Sequence, residues 1–179
     1  MKKVLAISGS TREKSINQCF IEAIRNLSSN KFSVTIFSGL SDIPYFNPDL
    51  DNENPPTQVK EFRRQLQEAD GILICTPEYA MGVPGTLKNA IDWSISTCNF
   101  SHKPVALVTA SLSGEKAHQS LLGTLKIIES NITEDTQLLI PFAKTKIDKD
   151  GIITHAETLA QITKLIEAFS RNIENPIII

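Results

Sequence analysis

Residues 9–17 read GSTREKSIN. Ser10, Thr11, Ser15 and Asn17 offer neutral hydrogen-bonding side chains, and Arg12 offers a fixed positive charge. The stretch follows a short apolar run and precedes a segment with helical spacing. Main-chain N–H groups at a helix start add donors and the positive end of the helix dipole. Together these groups suit a terminal phosphate monoester, a dianion with many oxygens to satisfy, which Arg12 can neutralise through paired donors. The same residues also fit an ordinary helix start with Ser15 as N-cap. One glycine stands where dinucleotide loops carry three. A bridging pyrophosphate needs close backbone approach and hence glycines, whereas a terminal phosphate can be enclosed by side chains.

The second stretch with chemical content is TPEYAMGVPGTLKNAIDW, residues 76–93. Pro77, Gly82, Pro84 and Gly85 shape a non-helical backbone that can approach a ligand closely. Tyr79 adds a flat ring. Main-chain groups beside one ring suit a planar heterocycle better than a sugar. The bland alternative is a strand-to-helix turn whose Tyr79 covers the core.

Rival phosphate motifs are absent from the sequence. There is no GxxxxGK[ST] and no GxGxxG, and the run TIFSG at 35–39 carries no acidic residue for an adenosine ribose. ISGS lacks the acidic residues of a receiver domain. Cys19 to Arg25 matches C-x5-R by letter. It falls inside the first helix, where the N–H groups a phosphate cradle needs are already used.

The elements that must position these loops follow from periodicity. Strands are expected at Val4–Ser8, Phe32–Phe37, 72–75, 104–110 and Ile132–Ile140, the last broken by polar residues as an edge strand would be. Helices are expected at Ser15–Ser28, from Thr57 to Asp70, from Pro84 to Ser94, at Lys116–Ser130 and at Ala156–Arg171. Five β-α pairs with right-handed crossovers imply a three-layer α/β/α domain spanning 1–179, with a five-stranded parallel sheet of order 2-1-3-4-5. Such a flavodoxin-like sheet binds ligands at the carboxyl ends of strands 1 and 3, where the winding reverses. That rule selects the loops at 9–15, 77–83 and 111–115.

The totals exclude several classes. Net charge is −2, with no Lys/Arg run to attract nucleic acid or an acidic membrane. The N-terminal apolar run is too short for a signal segment or a bilayer span. Three widely spaced cysteines, Cys19, Cys75 and Cys98, form no disulfide framework or metal motif, and are expected to be reduced in the cytoplasm. No His/Cys/Asp cluster has metal spacing.

The two stretches resemble the two signatures of the NADPH-dependent FMN reductase family, which includes quinone, azo-dye and chromate reductases. Gly9, Ser10, Arg12, Ser15 and Asn17 match GSxRxxSxN. Pro77 to Tyr79, Pro84, Gly85 and Leu87 to Trp93 match PEYN-x-S-x-PGxLKNAIDW. The resemblance implies a flavodoxin-like fold whose Ser10, Arg12, Ser15, Ile16 and Asn17 hold the FMN phosphate. It implies that Pro77, Glu78, Tyr79, Ala80, Met81 and Gly82 border the isoalloxazine ring, with Ser111 and Gly114 beside it. Ala80 replaces the usual Asn and Gly82 the usual Ser. SLSGEKAHQS at 111–120 puts Glu115 and Lys116 where a second glycine pair is common.

Other residues carry two readings each. His118 either touches substrate or flavin, or is a solvated helix-start histidine. Tyr45 and Phe46 either reach a neighbouring subunit's flavin site or pack locally. Lys88, Asn89, Asp92 and Trp93 lie on a helix that such proteins use in dimer contacts, although Trp93 also suits a core. The resemblance implies an oxidoreductase passing hydride from NADPH to FMN and on to a small acceptor: a flavin, quinone, azo compound or metal oxyanion. It implies no catalytic side chain, because the flavin carries the chemistry, and it implies a homodimer or homotetramer. An FMN-binding electron carrier without nicotinamide activity and a flavin-free scaffold are the alternatives.

Overall fold

A computed structural model describes residues 1–13 and 15–176. The strands are β1 (Lys2–Ser8), β2 (Phe32–Phe37), β3 (Gly71–Thr76), β4 (Val105–Ala110) and β5 (Gln137–Ile140). The helices are α1 (Ile16–Leu27), α2 (Thr57–Glu68), α3 (Gly85–Asp92), α4 (Glu115–Ile127) and α5 (Ala156–Glu174). All four strand pairings are parallel, and the order is β2-β1-β3-β4-β5. Ile7 lies beside Ile74, and Ile74 beside Leu107, so the carboxyl ends of β1, β3 and β4 finish at one rim.

The central strands are apolar on both faces because helices cover both. Side chains alternate along each strand. Leu5, Ile7, Ile72, Ile74, Val105 and Leu107 pack with Phe62, Leu66, Ile91 and Leu121 of α2, α3 and α4. Val4, Ala6, Leu73, Cys75, Ala106 and Val108 pack on the other face with Phe20, Ile24, Leu165 and Phe169 of α1 and α5. Lys103 closes the end of α2: its ammonium donates to the carbonyls of Leu66 at 2.5 Å and Ala69 at 2.7 Å. A cation is favoured at a helix carboxyl end, where carbonyls lack partners.

One expected element is shorter. The strand expected from Ile132 begins only at Gln137, and Glu134–Thr136 form a 3-10 turn. Thr133 and Thr136 exchange hydrogen bonds as a capping box. Such local side-chain bonds offer the backbone an alternative to the ladder. β5 is an edge strand, as its polar residues imply.

Candidate functional site

The chain must leave β1 without striking β3. Gly9 makes that possible: its N–H donates to the Cys75 carbonyl at 2.8 Å, and a Cβ there would lie 2.3 Å from Thr76 Oγ1. Ser10 then turns the loop. Its Oγ accepts from the Arg12 N–H at 3.4 Å and lies 3.5 Å from the Tyr79 hydroxyl. Ser15 is the N-cap of α1, its Oγ accepting from the Asn17 N–H at 3.2 Å. That bond uses the oxygen and leaves the hydroxyl hydrogen available. The first turn of α1 carries no acidic residue, so its dipole end is not neutralised from within the helix.

These groups face a cavity of about 720 Å³, within the usual range of ligand sites. Ser10, Arg12, Ser15, Ile16 and Asn17 line one wall, and Pro77, Glu78 and Tyr79 the next. Ala110, Ser111 and Leu112 line a third. The fourth comes from 142–149 after β5, with Phe142, Lys144, Thr145, Ile147, Asp148 and Lys149. That wall is not among the loops the switch-point rule selects. IDKDGII at 147–153 held a turn signal: Asp148 Oδ1 accepts from the Asp150 and Ile152 N–H groups at 2.9 Å, and Ile147 pairs with Ile153. Its destination beside α1 is a long-range packing outcome.

The structure places four of the anticipated residues off the lining. Tyr79 and Gly82 exchange two main-chain hydrogen bonds of 3.0 Å, closing a two-residue turn. Ala80 and Met81 form that turn with φ of 48° and 60°, and Met81 is exposed. Gly114 (φ 90°) starts α4; a Cβ there would lie 2.9 Å from Leu139 Cδ1. It shapes the third wall without lining it.

Glu78 is tied in twice. Its N–H donates to Ser111 Oγ at 3.1 Å, and its carboxylate accepts from the Ala117 N–H at 2.9 Å. It therefore caps the start of α4 and joins two walls. His118 is neither a cavity residue nor a solvated one. It lies half-buried, with Nδ1 2.9 Å from Thr109 Oγ1 and Nε2 3.2 Å from Gln137 Oε1. Burial holds its pKa below the ordinary 6.5, only partly offset by the Gln137 bond.

Helix α3 uses its matched residues for local packing. Asn89 Oδ1 accepts from the Phe46 N–H at 2.7 Å, and the Trp93 indole N–H donates to the Pro44 carbonyl at 2.8 Å. Phe46 stacks edge-on against the buried Trp93 at 5.0 Å, so local packing describes Phe46, while Tyr45 is 91% exposed. A second cavity of about 470 Å³ lies between α1 and residues 150–153; it is largely apolar, with Gln18, Glu22, Asn26 and Asp150 among its lining. Among the described residues no group of three or more His, Cys, Asp or Glu is placed to hold a metal.

The family model described as NADPH-dependent FMN reductase matches residues 2–145. An NAD(P)H-dependent FMN reductase of Pseudomonas aeruginosa is 32% identical over 171 residues, covering 93% of this chain and 92% of its own. A 2-hydroxy-1,4-benzoquinone reductase of a Burkholderia species is 29% identical over 174 residues, 94% of each chain. A solved flavoenzyme NAD(P)H:(acceptor) oxidoreductase of Paracoccus denitrificans superimposes with a TM-score of 0.85 at 23% identity, covering 98% of this chain and 99% of that one. That likeness gives the fold. With both signature stretches meeting in one cavity and the family model spanning most of the sequence, the chain belongs to the NADPH-dependent FMN reductase family.

Proposed function

We propose that this protein oxidises NAD(P)H on a bound FMN and reduces a small acceptor, a quinone or a free flavin, with residues 1–179 acting as one domain. The observation that carries the reading is one cavity joining a cationic, donor-rich wall to a flat wall of main chain and Tyr79. The donor set fits a phosphate dianion. Arg12 has no carboxylate partner among the described residues, Ser15 keeps its hydroxyl hydrogen, and the α1 amides point from an uncompensated helix start. The chemistry supplied by the bound flavin is hydride uptake from NAD(P)H and delivery to the acceptor. Ser10, Arg12, Ser15, Ile16 and Asn17 would hold its phosphate end. Pro77, Glu78, Tyr79 and Ser111 would border its ring, with Ala80, Met81, Gly82 and Gly114 shaping the turns behind that border.

The names of the relatives support the quinone or flavin acceptor. A homodimer or homotetramer is our proposed assembly, supported by the exposed apolar side chains of Leu112, Met81 and Phe142 around the cavity. A cytoplasmic site is supported by the three unpaired cysteines; among the described residues no helix is long and apolar enough to cross a membrane.

The test is a visible spectrum of purified protein with FMN, followed by NADPH without air and then a quinone. Bleaching of the flavin band by NADPH and its return with quinone is expected. Absence of flavin binding would overturn the reading, and binding without bleaching would leave an electron carrier in its place. Arg12→Gln should weaken FMN roughly ten- to a hundred-fold, the value of a charge-assisted hydrogen bond, while riboflavin, which lacks the phosphate, should bind nearly unchanged.

A further inference from the structure

Beneath the donor-rich wall lies a side chain that the function does not account for. Cys75 is the penultimate residue of β3 and is wholly buried. Its Sγ donates to Asn17 Oδ1 at 3.3 Å. Burial drives the thiol's pKa far up, so its hydrogen stays in place at neutral pH. Asn17 is itself only 3% exposed and lines the cavity. Its Nδ2 donates to no group among the described residues. With its oxygen engaged inside the chain and no chain acceptor for its nitrogen, the amide of this cavity-lining residue keeps its N–H groups available to a bound ligand.

An asparagine amide has two flips that differ only in where oxygen and nitrogen sit. One presents N–H donors to the cavity, and the other presents a carbonyl lone pair, which a phosphate dianion repels. A thiol in place below the amide favours the first flip, since S–H donates to the oxygen. We infer that Cys75 is a positioning residue for FMN: its thiol holds the Asn17 amide with its N–H groups turned toward the phosphate. This rests on the FMN reading above. It separates Cys75 from redox chemistry, for which a buried, protonated thiol is unsuited.

The test measures dissociation constants for FMN and for riboflavin in the wild type, Cys75→Val, Cys75→Ser, Cys75→Ala, Asn17→Ala and the Cys75→Val, Asn17→Ala double variant, by quenching of flavin fluorescence. Valine keeps much the same volume without a donor, and serine keeps a donor. The expected result is that Cys75→Val weakens FMN roughly three- to ten-fold, the range for one modest hydrogen bond, leaves riboflavin unchanged, and has no further effect in the Asn17→Ala background. Cys75→Ser should restore the preference for FMN over riboflavin. An unchanged ratio in Cys75→Val, or an equal loss for both flavins, would overturn the inference. Should Cys75→Val not fold, the ratio in Cys75→Ser against Cys75→Ala decides in the same way. Failure of the wild type to bind any flavin would instead remove the reading on which the inference rests.

Discussion

His118 shows how a single side chain takes its role from its partners. Gln137 Oε1 can only accept, so Nε2 carries the proton and Nδ1 accepts from the Thr109 hydroxyl. The neutral ring is fully paired, and burial is the main cause that disfavours a second, charging proton. The folded-state pKa lies below the ordinary 6.5. Below 6.5 the unfolded chain therefore binds more protons than the folded one, so stability falls as pH drops from 6.5 toward the folded value. Urea midpoints at pH 7 and well below 6.5 should show this loss, and His118→Gln should reduce it. None of this was legible in the sequence, where His118 stood simply near a helix start. Thr109 and Gln137 reach it from two strands, β4 and β5. Ser15 is the opposite case: its capping role depends on a residue two positions away, and the sequence displayed it.

At the scale of elements, the turn after Tyr79 departs from its own chemistry. A two-residue hairpin turn with both central residues at positive φ favours Asn and Gly. This chain has Ala80 and Met81 there, with φ of 48° and 60°. Left-handed backbone costs an ordinary residue about 1–2 kcal/mol. The turn persists because two main-chain bonds close it and Tyr79 is held beside Ser10. Ala80→Asn should recover about 0.5–1 kcal/mol and raise the melting temperature by about 1–4 °C, given the usual slope for a domain of this size. Thermal unfolding followed by circular dichroism checks it. Helices and central strands were readable because apolar spacing and burial agree within each segment. β5 is shorter than its apolar run suggests, since Thr133 and Thr136 bond each other locally, and the 142–149 wall is not legible in the sequence because it is defined by where a hairpin lands.

Across the whole molecule, the charges near the cavity differ in sign from the total. Net charge is −2, yet Arg12, Lys144 and Lys149 line the cavity. Its acidic residues Glu78 and Asp148 spend carboxylate oxygens on N–H groups of the chain. Phosphate binding should then stabilise the fold as any native-state ligand does, by about 2.7 kcal/mol at a hundred times the dissociation constant. FMN at that concentration should raise the melting temperature by roughly 5–10 °C, and riboflavin at the same concentration by less. Equal shifts would count against phosphate recognition. The place of the cavity at the carboxyl ends of β1 and β3 is legible from sequence, because the switch point follows from topology alone.

The double engagement of Glu78 has a consequence for how the molecule breathes. Ser111, which receives the Glu78 N–H, accepts through its carbonyl from the Ala143 N–H at 2.9 Å. Phe142 donates to the Leu112 carbonyl at 3.0 Å. Loops after three adjacent strands are thus fastened in series rather than each to its own strand. Such a chain of fasteners opens as one cooperative unit. The amides of Glu78, Ala117 and Ala143 should therefore exchange with deuterium at a common opening free energy, and Glu78→Gln should lower it at all three positions together, making the rim of the cavity one foldon.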